Sequence, residues 1–247
     1  MTPHRKTLDR ALSFFGVASR SLAVELIVGG RVTVNGRCVR APEHWIELES
    51  DRIQIDGREI GPPTALRVVI YNKPRGVVVT ARDPEGRLDL ALALPEPYRT
   101  DTSLRAVGRL DRASAGLLLL MNDMGLADRL LTAEAAVTKI YRVKLAPPPT
   151  AVDIERLAIG IDIGDARPTL PARVTLERTN PKSAVLRFEL HEGRNRQIRR
   201  MAQAIGCEVE WLVRTHFGPI ALDSLEPGAA REATADEVKA LASMAPG

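Results

Sequence analysis

Three stretches of the chain carry side chains that could do chemistry together. In GRLDRASAGLLLLMND, Asp111 lies between Arg109 and Arg112, just before four leucines. Tyr141 follows in the apolar run KIYRV at 139–143. The third stretch, HEGRNRQIRRM, holds four arginines: Arg194, Arg196, Arg199 and Arg200. A carboxylate among so many basic groups is suited to act as an acid, base or nucleophile beside a bound polyanion.

Each stretch taken alone also has an ordinary structural explanation. A loop aspartate such as Asp111 usually caps a turn or forms a surface ion pair. A tyrosine in a strand usually packs in the core or at its rim, and an arginine-rich helix is usually a solvated face or a general nucleic-acid contact. The hypothesis of an active site therefore depends on the three stretches meeting in space.

Several kinds of chemistry lack their usual residues. The four histidines and two cysteines show no metal-ligand spacing, so we expect neither a metal site nor a disulfide. The chain has no Walker loop, no GxGxxG fingerprint and no nucleophile elbow, which disfavours nucleotide hydrolysis, hydride transfer and serine hydrolysis. The residues are, in order, His4, His44, His191, His216, Cys38 and Cys207.

Positive charge is concentrated at the amino terminus. The chain carries a formal net charge of +4, yet residues 1–40 alone hold seven Lys or Arg against Asp9 and Glu25. A small basic module beside a nearly neutral body favours binding of a polyanion. The first ten residues lack the apolar core of a signal peptide, and no apolar stretch approaches the roughly 20 residues that cross a bilayer. We therefore expect a cytoplasmic protein without membrane association.

The first 62 residues predict a small domain of two helices and a hairpin. Helical spacing runs from Leu8 to Phe15, and a second helix is expected after the N-cap Ser19. VTVNGRCV alternates around Asn35-Gly36, a strong hairpin signal, and another turn is expected at Asp56-Gly57. GPPT at 61–64 is typical of a linker, so we place the first domain at 1–62.

The remainder, 65–247, predicts a second domain of mixed strands and helices. Its strand-like runs are LRVVIYN, GLLLLMN, TKIYRVKL, RVTLER and SAVLRFEL. They do not alternate regularly with helices, so the pattern favours an α+β fold with a mixed, largely antiparallel sheet. A helix from about 195 to 205 is predicted by the stripe Ile198, Met201, Ala202 and Ile205. On that helix Arg196 and Arg200 point away from the core, while Arg199 lies at the border and can turn toward a carboxylate.

The amino-terminal segment TLDRALSFFGVASRSLA, followed by GGRVTVNG, resembles a small RNA-binding module named after a ribosomal protein, the S-four-like domain. The resemblance implies that two helices and a hairpin present a basic face to structured RNA. It places Arg20, Arg31 and Arg37 near phosphates. A solvated basic helix pair without a ligand is the alternative.

The order of the remaining motifs resembles the pseudouridine synthases, and in particular their ribosomal RNA group (the RsuA/RluB/RluE/RluF group). The matching segments are YNKPRGVVVT, DPEGR, VGRLDRASAGLLLLMND, KIYRVKL and HEGRNRQIRRM. The resemblance implies the catalytic fold of that family. It also implies a monomeric enzyme that flips a specific uridine of ribosomal RNA and isomerises it to pseudouridine, with neither metal nor cofactor.

The resemblance also assigns roles to individual residues. Asp111 is the essential carboxylate, and whether it attacks the sugar or acts as a base stays open. Tyr141 stacks on the flipped uracil, and Arg199 pairs with Asp111. Arg109 fills the gap that the flipped base leaves, and Ile198 lines the uracil pocket. Lys73 supports the site, and three further arginines contact RNA: Arg194, Arg196 and Arg200.

Other interpretations stay open from the sequence. A non-catalytic RNA-binding or ribosome-assembly protein would use the basic module but would not need Asp111 close to phosphates. An acid-dependent hydrolase or nuclease would want a second carboxylate or a metal cluster. Arg112 could face RNA phosphate or solvent. The partner is expected to be structured ribosomal RNA, free or in a pre-ribosomal particle, with the second half somewhat closer to the large-subunit enzymes.

Overall fold

The structure is a computed structural model, and it describes residues 5–18, 20–61, 65–80, 88–101 and 103–245. The predicted N-cap Ser19, most of the predicted linker 61–64 and the DPEGR segment at 83–87 lie outside these residues. No helix in the described ranges is long and apolar enough to cross a membrane.

The amino-terminal elements form two helices against small antiparallel sheets. Both predicted helices are present, and each is followed, two residues after its last residue, by a glycine with positive φ, Gly16 and Gly30. The strands pair as a four-stranded sheet in the order β3-β2-β5-β6, with β1 and β4 as a separate pair. The elements are β1 Arg5–Thr7, α1 Leu8–Phe14, α2 Arg20–Val28, β2 Val32–Val34, β3 Arg37–Cys38, β4 Trp45–Glu47, β5 Ile53–Ile55 and β6 Arg58–Ile60.

The two short turns of this sheet follow from their residue types. Asn35-Gly36 joins β2 to β3 with φ of 50° and 78°, and Asp56-Gly57 joins β5 to β6 with φ of 51° and 79°. Two successive left-handed residues make the turn whose twist matches that of the flanking strands, and Asn-Gly and Asp-Gly adopt it readily. Both predicted turns are therefore confirmed.

The second part of the chain is built on one large sheet in the order β11-β12-β10-β13-β9-β7-β15, with β14 beside β13 and β8 beside β9. Every named pair is antiparallel except β9 with β13, which confirms the predicted α+β fold with a largely antiparallel sheet. The strands are β7 Val68–Lys73, β8 Arg105–Ala106, β9 Ala115–Met121, β10 Lys139–Ala146, β11 Arg173–Thr179, β12 Ala184–Leu190, β13 Glu208–Phe217, β14 Ile220–Ala221 and β15 Ala230–Glu232.

Helices cover this sheet and supply its core. They are α3 Leu90–Ala93, α4 Met124–Leu131, α5 Ala151–Ile159, α6 Gln197–Ala204 and α7 Ala235–Ala242. The predicted helix near 195–205 is present but begins two residues later, because Arg196 adopts a left-handed conformation with φ of 50° as its N-cap. Ile198, Met201 and Ala202 pack into the core as their spacing predicts.

The leucine run is buried on both faces of its strand. Leu117, Leu119 and Met121 belong to one apolar cluster, while Leu118 and Leu120 belong to another on the opposite face. A strand that lies between two neighbouring strands and is covered on both faces has a continuous apolar sequence rather than an alternating one. This rigid strand follows directly after the loop that carries Asp111.

The amino-terminal part packs against the second part at the start of α4. The ring of Phe14 lies so close to Gly125 that an added Cβ would come within 2.5 Å of the ring atom Cζ. An added Cβ at Gly16 would lie 3.2 Å from the Ser103 carbonyl oxygen. The end of α1 and the loop after it are therefore in direct contact with the second part of the chain.

One prediction concerns Gly116, where β9 and β13 approach each other. Gly116 has φ of 102°, and an added Cβ would overlap the carbonyl oxygen of Arg214 and lie 2.7 Å from its amide nitrogen. We expect Gly116→Ala to lower the free energy of unfolding by about 3–5 kcal/mol, because backbone strain and backbone overlap add. Urea denaturation measures this loss.

The matched control for this prediction is Gly76→Ala. Gly76 has φ of 100°, but nothing lies within 4 Å of an added Cβ, so only the conformational strain applies, about 1–2 kcal/mol. Equal losses for the two variants would contradict the close approach of the two strands.

Candidate active site

A cavity of about 580 Å³ opens beside the loop that carries Asp111. Its walls come from residues 108–114 (the aspartate loop), from β10, from residues 192–199 and from β13. It brings together seven of the predicted site residues: Arg109, Asp111, Tyr141, Arg194, Arg196, Ile198 and Arg199. The three stretches singled out in the sequence therefore meet at one place.

The aspartate loop is held at three consecutive residues by hydrogen bonds. The amide of Ser114 donates to the carbonyl oxygen of Asp111 at 3.0 Å, and the amide of Gly76 donates to that of Arg112 at 2.8 Å. Nη2 of Arg199 donates to the carbonyl oxygen of Ala113 at 3.0 Å. The backbone around Asp111 is thus fixed from both sides, while the Asp111 side chain is half-buried at the cavity wall.

Arg199 reaches the aspartate loop but does not form the direct pair that was expected. Within the described ranges, no ion pair joins its guanidinium to the Asp111 carboxylate; its contacts are the carbonyl oxygens of Ala113 and Val209. Burial lowers the pKa of Arg199, and the nearby charge of Asp111 acts in the opposite direction. Nε of Arg199 is buried without a hydrogen-bond partner. Arg199 therefore holds the loop and contributes positive charge near Asp111.

Lys73 supports the loop from beneath rather than from the cavity. Its side chain is fully buried, and its ammonium donates to the carbonyl oxygens of Val77 at 2.9 Å and Pro74 at 3.1 Å. These bonds fix the turn that presents the Gly76 amide to the aspartate loop. Burial lowers the pKa of Lys73 to about 8; the charge of Asp111 raises it, and that of Arg214 lowers it further.

Tyr141 and Ile198 form the apolar part of the cavity wall. Tyr141 is half-buried in the middle of β10 and packs against the apolar clusters on both sides of the site. Ile198, in the first turn of α6, is 4% exposed. An aromatic ring and an aliphatic side chain on one cavity are suited to hold a flat, partly apolar ligand.

The arginines around α6 have different partners. Arg194 donates to the Arg167 and Pro168 carbonyl oxygens, both at 2.7 Å, and pairs with Glu192. Arg200, which was expected to face outward freely, pairs with Asp165 at 2.6 Å and donates to the Ile163 carbonyl oxygen. Arg196 is exposed at the cavity rim. Arg194 and Arg200 thus hold the segment 163–168, and Arg196 is left available for a ligand.

The three amino-terminal arginines lie outside this cavity. Arg20 makes two hydrogen bonds to Asp9, and Arg31 makes several to Asp56. Their side chains nevertheless remain 62% and 56% exposed. Arg37 is exposed in β3.

Two buried basic residues of the cavity wall were not predicted as site residues. Lys139, at the start of β10, is 9% exposed, and Arg214, in β13, is 3% exposed. Both line the cavity. Lys139 lies two residues before Tyr141, so strand alternation could have placed it on the same face. Arg214 lies in a strand that was not predicted.

The described part of the chain contains no group of three or more His, Cys, Asp or Glu side chains that could hold a metal ion.

Comparisons with known proteins agree on one family. A family model described as RNA pseudouridylate synthase matches residues 67–204, and an S4 domain model matches residues 6–53. The ribosomal large subunit pseudouridine synthase B of Bacillus subtilis (strain 168) is 36% identical over 244 residues, 96% of each chain. An uncharacterised RNA pseudouridine synthase of Mycobacterium leprae (strain TN) is 36% identical, over 95% of this chain and 91% of that one.

A solved structure gives the same result. A crystal structure of pseudouridylate synthase superposes with a TM-score of 0.67 at 30% identity, covering 95% of this chain and 99% of that one. Sequence and fold therefore point to the same family over almost the whole chain.

A prediction follows from the lowered pKa of Lys73. Because its pKa is about 8 when folded against an ordinary value of 10.5, the unfolded chain binds more protons between these pH values. The contribution of Lys73 to stability should therefore rise with pH across this window, by up to about 3 kcal/mol, and stay constant below pH 8. Urea denaturation of wild type and Lys73→Met from pH 7 to 10.5 measures the difference. If the free energies of unfolding of wild type and Lys73→Met change in parallel with pH, the lowered pKa of Lys73 is contradicted.

Proposed function

The chain belongs to the RNA pseudouridylate synthase family, and on that premise we propose that it isomerises one uridine of large-subunit ribosomal RNA, with Asp111 as the essential carboxylate. In the reaction the C1′–N1 bond of the uridine breaks and a bond from C1′ to C5 forms. The proton on C5 is lost and N1 gains a proton. Atoms and electrons balance without an oxidant or reductant, so the reaction needs no redox cofactor, and we propose that it uses no cofactor at all.

The observation that carries this proposal is the meeting of Asp111, Tyr141, Ile198 and Arg199 on one cavity. These residues come from a loop, a strand and a helix that are far apart in the sequence. The cavity volume of about 580 Å³ is within the usual range of roughly 300–1,000 Å³ for small-ligand pockets, which suits a single nucleotide.

In the proposed complex the target uridine leaves its stack and enters the cavity. Tyr141 stacks on the uracil ring and Ile198 packs against it. Asp111 then either attacks the sugar or removes a sugar proton, and in both cases the base departs from C1′. The exposed Arg109, at the mouth of the cavity, occupies the gap left in the RNA. Flipping the base costs a few kcal/mol, which contacts to the RNA backbone offset.

The proposed RNA-binding surface extends from the cavity to the amino-terminal module. The exposed Arg196 and Arg37 can meet phosphates directly. Arg20 and Arg31 keep much of their guanidinium surface exposed beside their carboxylate partners, so both can also face phosphates. Arg194 and Arg200 would contribute mainly by shaping the segment 163–168. We assign residues 1–62 to RNA binding and residues 65–247 to catalysis, in a monomeric, cytoplasmic enzyme.

The choice of large-subunit ribosomal RNA is supported by the name of the Bacillus subtilis relative, which gives that target. The test is to map pseudouridines in ribosomal RNA from cells with and without the gene, by carbodiimide-adduct primer extension. One large-subunit position should lose its adduct stop when the gene is absent, and purified protein should restore it. Unchanged maps would favour a non-catalytic RNA-binding protein, and strand breaks would favour a nuclease.

Replacement of the essential carboxylate tests the mechanism. We expect Asp111→Asn to lower the rate of pseudouridine formation by at least about 10³-fold, because the amide can neither attack nor accept a proton. RNA affinity and thermal stability should stay close to wild type, since the loop is held by backbone hydrogen bonds. Asp128→Asn makes the same charge change on the exposed face of α4 and should have no effect. Near-normal turnover by Asp111→Asn on undermodified rRNA would refute the assignment.

A separate prediction concerns Arg199. Arg199→Ala should reduce turnover by about 10²-fold or more while weakening RNA binding only modestly, because the side chain holds the aspartate loop and its charge acts near Asp111. Arg196→Ala, three residues earlier and exposed, should show the reverse pattern, with weaker binding and normal turnover at saturation. Filter binding and single-turnover kinetics separate the two effects. Equal losses of RNA affinity and turnover rate in Arg199→Ala would show that Arg199 binds RNA phosphates instead.

A further inference from the structure

Lys139 and Arg214 form a buried cation pair on the wall of the cavity. Lys139 begins β10 and is 9% exposed, while Arg214 in β13 is 3% exposed. The Lys139 ammonium lies 5.8 Å from the centre of the Phe217 ring, and the Arg214 guanidinium lies 5.5 Å from it. The two cations therefore share one aromatic neighbour and one small region of the cavity.

This buried cation pair has few hydrogen-bond partners among the described residues. Nε of Arg214 donates to the Leu117 carbonyl oxygen at 2.7 Å, but its Nη2 is buried without a partner. Within the same part of the chain, the Lys139 ammonium makes no hydrogen bond and neither cation forms an ion pair. Burial, followed by the charge of Arg214, lowers the pKa of Lys139. Leaving buried cations without a counter-charge is costly, and proteins tolerate such groups mainly at functional sites.

Among the described residues, no carboxylate of the cavity wall forms an ion pair with either cation. Two carboxylates line it, Asp111 and Glu192. Glu192 is bound by Arg194 and by the side chain of Gln197. Asp111 acts electrostatically on Lys73 and Arg199. A bound anion, or a ligand that becomes anionic, is therefore the natural counter-charge for the pair.

The strand register places Arg214 between the two parts of the proposed active site. In the antiparallel β10–β13 pair Arg214 lies opposite Tyr141, so their side chains emerge on the same face of the sheet. On the other side, in the parallel β9–β13 pair, it lies opposite Gly116, at the start of the strand that follows the aspartate loop. A uracil held on Tyr141 and detached near Asp111 would therefore lie beside Arg214.

We propose that Lys139 and Arg214 stabilise the anionic uracil formed when the C1′–N1 bond breaks, an inference that rests on the proposed function. The electron pair of that bond moves to N1 and is shared with the O2 and O4 oxygens, which face the two cations. C5 then uses an electron pair of the ring to bond C1′, as the C1′–oxygen bond to Asp111 breaks or the proton that Asp111 removed returns to the sugar. The proton on C5 leaves, and N1 takes up a proton. The same anion forms whether Asp111 attacks the sugar or removes a proton from it.

The test compares two substrates under single-turnover conditions with the full-length protein. Ribosomal RNA transcripts are made with either uridine or 5-fluorouridine, and digestion followed by mass spectrometry quantifies the carbon-linked nucleoside. From uridine this is pseudouridine. From 5-fluorouridine it is the nucleoside that keeps fluorine at C5 and takes up water at C6, because C5 has no proton to lose. Fluorine withdraws electrons and stabilises a detached uracil anion without help from the protein. A residue that stabilises this anion should therefore matter less for the fluorinated substrate.

We expect Lys139→Met to slow uridine conversion by about 10²–10³-fold, with little change in RNA affinity or thermal stability. The loss on 5-fluorouridine should be about tenfold smaller, as expected when leaving-group acidity compensates for a lost cation. Lys139→Arg should restore most of the rate, and Arg214→Lys should retain more than Arg214→Met. Arg142→Met removes a cation from the opposite face of β10, where Arg142 pairs with Glu177, and should leave the rate unchanged.

Three results separate the possibilities. If folded Lys139→Met converts uridine within about threefold of wild type, well below the loss expected for a stabilising donor, the inference is wrong. If it loses the same factor on both substrates, the pair has a structural role and the inference is also wrong. If wild type makes no pseudouridine in ribosomal RNA, the proposed function fails instead. Should Arg214→Met not fold, the Lys139 variants and Arg214→Lys still decide the question.

Discussion

The parallel pairing of β9 with β13 is the contact on which the whole site depends. It joins two halves of the large sheet, β11-β12-β10-β13 on one side and β9-β7-β15 on the other. Asp111 belongs to the second half, whereas Tyr141 and the helix that carries Arg199 belong to the first. The two backbones can approach closely at this point because Gly116 has no side chain. The proposed site is thus formed by residues from both halves of the sheet, which meet at the β9–β13 pair. The proposed chemistry requires that these two strands keep their register.

Electrostatics explains why the carboxylate is surrounded by basic groups. Lys73 lies beneath the aspartate loop, Arg199 binds the loop backbone, and Lys139 and Arg214 line the same cavity. None of these cations forms a direct ion pair with Asp111, and no other described residue donates a hydrogen bond to its carboxylate oxygens. The carboxylate is kept in a positive environment while it remains available to a substrate. A direct, bidentate ion pair would stabilise the charge but would block access to it.

Much of this architecture could be predicted from local sequence patterns. The turns at Asn35-Gly36 and Asp56-Gly57, the leucine strand and the stripe of α6 all follow from residue types and periodicity. β13 was missed because its charged residues interrupt an apolar pattern, and only its position between β10 and β9 makes it a strand. The partners of Arg200 were missed for a similar reason, since Asp165 is brought near only by the folded chain. Likewise, the contact of Arg199 with a backbone carbonyl rather than a carboxylate depends on loop geometry that spacing does not reveal.

The contact between Phe14 and Gly125 has a consequence for how a target is chosen. It holds the basic helices of the first domain at one separation from the cavity, instead of leaving them on a free tether. If the first domain grips RNA phosphates as proposed, an RNA can satisfy both surfaces only if the path along its backbone between those phosphates and the uridine has the right length. The enzyme would in this way select one uridine among many by its distance from the bound phosphates in the folded RNA, more than by contacts to neighbouring bases.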